Sequence, residues 1–165
     1  IEAMGELCLE AGAVQAFLAP DSVKRSKMWD VRKEVSLRIE QAAALYVPED
    51  VVVPLGRISE LVQELPELEA RFRVKVYSFG HAGDGNIHLN FTSQSPDSAD
   101  EMQGAVEEVL ERVLAMGGTI SGEHGIGFVK KRFMARELSP DSLRLQREIK
   151  RVFDPNNILN PGKLF

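Results

Sequence analysis

The chain holds three histidines, His81, His88 and His124, and all of them fall in two short stretches. Residues 77–90 read Y-S-F-G-H-A-G-D-G-N-I-H-L-N, and residues 121–127 read S-G-E-H-G-I-G. Each histidine stands among glycines and near a carboxylate, Asp84 or Glu123. Two imidazoles, His81 and His88, with Glu123 as an oxygen ligand and no thiolate, suit a divalent ion such as zinc, manganese, iron or cobalt. Three protein ligands leave coordination positions open, which is the catalytic rather than the structural pattern. His124 follows Glu123 directly, so the two side chains point different ways. It would stand beside such an ion, free to take or give a proton near neutral pH. The same residues also fit plain hairpin packing and turn chemistry, and residue types alone leave both readings open.

For His81 and His88 to meet, the glycines between them must make a turn. Gly80, Gly83 and Gly85 permit one, and Asp84 can bond backbone amides within it. Residues 72–79 and 86–91 then read as two strands of a hairpin. Period two puts Asn86, His88 and Asn90 on one face and Ile87, Leu89 and Phe91 on the other. The apolar face should meet the core. A row of amide, imidazole, amide reads as the lining of a site.

The other elements follow from periodicity. Residues 1–11 carry a helical stripe of Ile1, Met4, Leu7 and Cys8, and residues 13–18 read as a short strand. A long helix over residues 22–46 has Met28, Val31, Val35 and Ile39 as its stripe. Arg32 and Ser36 lie four apart on an adjoining face, which by itself reads as a solvated surface. Residues 51–55, V-V-V-P-L, read as a strand. A helix over residues 58–71 contains Pro66, which predicts a kink or break. A helix spans residues 98–116 and ends at Gly117-Gly118. Residues 119–121 are a strand end, and residues 128–136 are helical. The last helix covers residues 141–153, with Leu143, Leu145, Ile149 and Val152 as its apolar set. Helix-joined strands with one hairpin predict an α+β fold, an antiparallel sheet covered by helices on one face.

Composition narrows the function. A net charge of -5 and pI near 5.3 argue against a nucleic-acid surface. No apolar run approaches the ~20 residues of a transmembrane segment. The single Cys8 leaves no internal disulfide and suits a reducing compartment. With 165 residues the chain reads as a single domain, and its opening in mid-helix reads as a fragment of something longer.

Three motifs in order, G-H-A-G-D-G-N-I-H-L-N, S-G-E-H-G-I-G and F-D-P-N-N-I-L-N-P-G-K-L-F, closely resemble the C-terminal domain of FAD-linked oxidases. That family includes the flavoprotein subunit of glycolate oxidase, D-lactate dehydrogenases and D-2-hydroxyglutarate dehydrogenase, among the vanillyl-alcohol-oxidase-type flavoproteins. The resemblance implies a ferredoxin-like cap over residues 1–165, closing a substrate site over FAD held by an absent N-terminal domain. It implies a divalent metal, often zinc, on His81, His88 and Glu123, and His124 as the base. It implies Arg32, Ser36 and Asn90 as substrate-binding residues. It leaves the residues that touch FAD unassigned. The expected activity is oxidation of a D-2-hydroxy acid to the 2-oxo acid, with hydride passing to FAD. An electron-accepting partner subunit and a cytoplasmic setting, at most peripheral to the inner membrane, go with it. Some dicarboxylate-specific members carry a lysine near the position of Pro48, so a small acid such as glycolate or D-lactate is favoured. A stand-alone metal- or carboxylate-binding module without redox chemistry is the alternative.

Overall fold

The computed structural model describes residues 1–165, which divide into two compact units, Ile1–Gln41 and Ala42–Phe165. The first unit holds helices α1 (Glu2–Glu10) and α2 (Ser22–Gln41). Residues 13–18 are not a strand; no ladder partner exists in a unit whose other elements are helices. The predicted long helix stops at Gln41 rather than residue 46, because the chain from Leu45 is drawn into the sheet.

The second unit contains strands β1 (Leu45–Val52), β2 (Lys75–His81) and β3 (Asn86–Ser93) in the order β1-β3-β2. Both neighbours run antiparallel to β3, so β1 and β2 are parallel with β3 between them. Helix α3 (Ile58–Phe72) makes the crossover from β1 to β2, and α4 (Ala99–Ala115) follows the hairpin. This is the split βαβ of a ferredoxin-like α+β domain. The place of a fourth strand is taken by one bridge, Thr119 to Val52, with two backbone hydrogen bonds of 2.9 and 3.1 Å. Short α5 (Met134–Glu137) and α6 (Pro140–Phe153) complete the unit. No helix is long and apolar enough to cross a membrane.

The predicted alternation in β3 holds on its apolar side. Ile87, Leu89 and Phe91 are buried in one cluster with Val51, Leu61, Leu65 and Leu68, and with Val106, Val109 and Val113 of α4. Both helices therefore cover one sheet face. Pro66 does not break α3. It sits on the exposed side, while Leu61, Leu65 and Leu68 bury the other, and that burial outweighs one missing amide. Strand β1 starts six residues before the predicted position 51, because Glu49 and Asp50 lie inside it. Residues 128–136 are turns, a 3₁₀ turn (Lys131–Phe133) and the start of α5 rather than one helix. In α6 only Leu143 is buried; Leu145, Ile149, Val152 and Phe153 form an exposed apolar stripe.

Candidate metal and proton-transfer site

The face of the sheet away from α3 and α4 carries the site. Cross-strand register sets Asp50 of β1, His88 of β3 and Phe79 of β2 in one row, with His81 paired to Asn86 one step along. His81 and His88 are thus diagonal neighbours on one face, their rings 5.4 Å apart and edge to face. The hairpin closes through His81: its carbonyl accepts from Asp84 N–H at 3.2 Å and from Gly85 N–H at 3.1 Å. Asp84 Oδ1 accepts from Asn86 N–H at 3.0 Å, the side-chain role expected of it. Gly85 has φ +80°, and a Cβ there would lie 2.1 Å from the Val53 carbonyl oxygen. Only glycine fits.

The segment after the Thr119 bridge brings in Glu123 and His124. Glu123 Oε1 lies 3.5 Å from His81 Nε2, and Oε2 lies 4.0 Å from His88 Nε2. One donor atom from each of the three residues falls within 4.8 Å of the others. A tetrahedral zinc with bonds of about 2.0–2.1 Å places its ligand atoms about 3.3 Å apart. The donor set and spacing fit a divalent ion after a modest inward movement of half-exposed side chains. The His124 ring stacks on His88 at 5.6 Å and 20°. Burial pushes the His88 imidazole below its ordinary value, against the opposing pull of Glu123. The lowered value favours the neutral ring, the form in which an imidazole can bind a metal.

Residues that the sequence did not single out hold this constellation. Asp50 is fully buried. Its Oδ2 accepts backbone N–H groups from Gly122 at 2.8 Å and His124 at 3.0 Å, and also from Glu123. Its Oδ1 accepts from Lys130 Nζ at 2.8 Å and lies 3.4 Å from His124 Nδ1. Burial alone would raise the Asp50 carboxyl; the Lys130 ammonium and the Glu123 and His124 amides hold it well below the usual carboxylate range. Lys130, also buried, donates its other protons to the carbonyls of Asp50 at 3.0 Å and Ile120 at 2.8 Å. Three protons serve three acceptors. Glu49 Oε2, 3.0 Å from the same nitrogen, is consequently left without a hydrogen bond. Burial pushes its carboxyl up, with Lys130 opposing. Glu137 of α5 anchors the loop's start, accepting from Thr119 Oγ1 at 2.6 Å and Ile120 N–H at 3.0 Å. Glu49-Asp50 interrupting an otherwise apolar run was the one signal available.

Asn90 lies on the expected face but is buried. Its Oδ1 accepts from Tyr46 Oη at 2.6 Å, and its Nδ2 donates to the Tyr77 carbonyl at 3.3 Å. Asn86, equally buried, has an Oδ1 without a partner. Arg32 and Ser36 belong to the first unit, exposed on α2, with the Arg32 guanidinium 5.3 Å over the Trp29 ring.

Comparison with known proteins adds what geometry alone does not. The family model described as FAD linked oxidases, C-terminal domain, matches residues 1–164. The chain is 40% identical over 168 residues to a D-lactate dehydrogenase of Anaerostipes hadrus, covering 99% of this chain and 35% of that protein. It is 30% identical over 167 residues to the glycolate oxidase subunit GlcD of Bacillus subtilis (strain 168), covering 100% and 36%. It is 34% identical over 161 residues to the mitochondrial D-2-hydroxyglutarate dehydrogenase of Bos taurus, covering 96% and 29%. The chain spans about a third of the length of these curated relatives.

Proposed function

The chain belongs to the family of FAD linked oxidase C-terminal domains, and from that premise we propose that it is the substrate-binding and catalytic cap of a flavin-dependent dehydrogenase. The substrate is a D-2-hydroxy acid of glycolate or D-lactate type, oxidised to the 2-oxo acid. The observation that carries this reading is the convergence of His81, His88 and Glu123, with His124 stacked beside them.

In this reading His81, His88 and Glu123 hold a divalent metal, with zinc the best match to the donors. Bound there, a metal supplies Lewis acidity that lowers the pKa of a substrate hydroxyl. His124 Nε2 takes the hydroxyl proton, since Nδ1 faces the Asp50 carboxylate. Arg32 offers a planar, two-pronged grip for the substrate carboxylate, and Ser36 a hydroxyl one turn further along α2. Asn90 is the third substrate-binding residue of this reading, its side chain fixed by the Tyr46 hydroxyl and the Tyr77 carbonyl. FAD, when bound, supplies hydride acceptance; it would be held by the part of such proteins outside this chain, with an electron-accepting partner subunit completing the cycle. The exposed stripe Leu145, Ile149, Val152 and Phe153 supports a covering domain of this kind. Pro48, exposed on the site face opposite Asn90, supports a monocarboxylic substrate: it offers no cation for a second carboxylate.

The test is turnover by the full-length protein against glycolate, D-lactate and D-2-hydroxyglutarate. His124→Ala should keep its metal and lose about 10²–10⁴-fold in kcat, the usual worth of a general base. A His124→Ala variant with wild-type kcat would refute the assignment. Metal binding without oxidation of any hydroxy acid would leave a binding module instead.

A further inference from the structure

We propose that Asp50 is a positioning residue: clamped by Lys130, it fixes the loop that bears Glu123 and His124 and sets the His124 ring so that its Nε2 is the free, basic nitrogen. The proposal rests on the reading of His124 as the base.

Glu123 and His124 have no strand to hold them. The ladder ends at the Thr119 bridge, and the following segment contains Gly122, Gly125 at φ +76° and Gly127 at φ +55°. Such a segment has little rigidity of its own. Both functional side chains are half exposed, 53% for Glu123 and 47% for His124, so neighbours above them do not hold them either. What fixes them lies beneath. One oxygen of Asp50 gathers the successive N–H groups of Gly122, Glu123 and His124. The Ser121 hydroxyl donates to the other at 3.3 Å and accepts the Gly125 N–H at 2.8 Å, closing the loop on itself.

The second oxygen faces His124 Nδ1 at 3.4 Å. A carboxylate only accepts, so it favours the tautomer with its proton on Nδ1 and a lone pair on Nε2. Lys130 supplies the compensating charge that lets a carboxylate sit fully buried at this point. A merely structural ion pair would need neither the three loop amides nor the imidazole.

The amide of Asn in place of Asp50 separates the two jobs, because the loop amides, the Ser121 hydroxyl and Lys130 all donate to its oxygens. In Asp50→Asn alone, the amide nitrogen must confront either the loop amides or Lys130. In the double variant Asp50→Asn/Lys130→Met the competing ammonium is gone. The amide oxygen then keeps the three loop N–H groups, and the amide nitrogen faces His124 Nδ1 as a donor. The full-length double variant should therefore retain zinc and keep KM within about twofold. Its kcat should fall about 10–100-fold, the usual effect of losing a partner that orients a site residue. In ¹⁵N-histidine NMR spectra, His124 should change from the Nδ1–H to the Nε2–H form. Retention of the Nδ1–H form, or a kcat within about twofold of wild type, would overturn the proposal. If the wild-type protein oxidises no hydroxy acid, the functional reading fails, while the tautomer signal still decides the role of Asp50.

Discussion

Alanine at position 85 should damage the hairpin, whereas alanine at position 83 should not. Gly85 has φ +80°, and an added Cβ would meet the Val53 carbonyl oxygen at 2.1 Å. Gly83 has nothing within 4 Å of its added Cβ and no positive φ. A non-glycine residue in the left-handed region costs about 1–2 kcal/mol. Relieving the contact requires the turn to move away from β1, which breaks the 3.1 Å bond from Val53 N–H to the Gly85 carbonyl. That adds about 0.5–1.5 kcal/mol. The total is about 1.5–3.5 kcal/mol, or a urea midpoint lower by about 0.8–1.8 M at a slope of about 2 kcal/mol per M. Gly83→Ala should stay within about 0.5 kcal/mol of wild type. Urea unfolding followed by circular dichroism measures both. Because His81 and His88 stand on either side of this turn, zinc titration of Gly85→Ala should also show weaker binding. A Gly85→Ala midpoint equal to wild type, or equal damage from Gly83→Ala, would refute the account of the turn.

Zinc affinity should be lost in His88→Ala and should fall in the wild-type protein as pH drops below the ordinary imidazole value of about 6.5, since the ligands must be deprotonated. Burial already lowers the His88 imidazole below its ordinary value; calorimetric titration across pH 5–8 measures the loss of affinity. The metal-free protein should be acid-labile. Asp50 is depressed in the folded state, so its stabilisation is present above the unfolded value of about 3.9 and is lost as pH falls further. Asp154, held down by Lys150, acts with the same sign. Urea midpoints at pH 3 and 6 should differ in that direction, and Asp50→Asn should reduce the difference; a midpoint that rises on acidification would contradict the sign.

What could be read from residues alone depended on how local the cause was. The hairpin and the face of His88 were legible because alternation and turn glycines are local, and helices α3 and α4 because their apolar spacing is. Strand β1 began too late on paper because Glu49 and Asp50 look like loop residues. Their burial depends on Lys130, eighty positions onward, and F-V-K-K-R does not reveal which lysine turns inward. Pro66 survives in a helix because tertiary burial outweighs a local defect. Leu145, Ile149 and Val152 form an apolar set by spacing that is real, yet their face stays exposed within Ala42–Phe165. The three histidines and Glu123 were found by composition, whereas the buried carboxylate beneath them was not, since a residue that works from below carries no motif of its own.

The single Thr119–Val52 bridge has an evolutionary corollary. A complete fourth strand would commit every later residue to a register, and any insertion there would slide a whole row of side chains. Here pairing stops after one rung, and residues 121–125 hang from a single carboxylate instead. Side chains can change in that segment, so long as its three amides still reach Asp50, without disturbing the packed layer behind it.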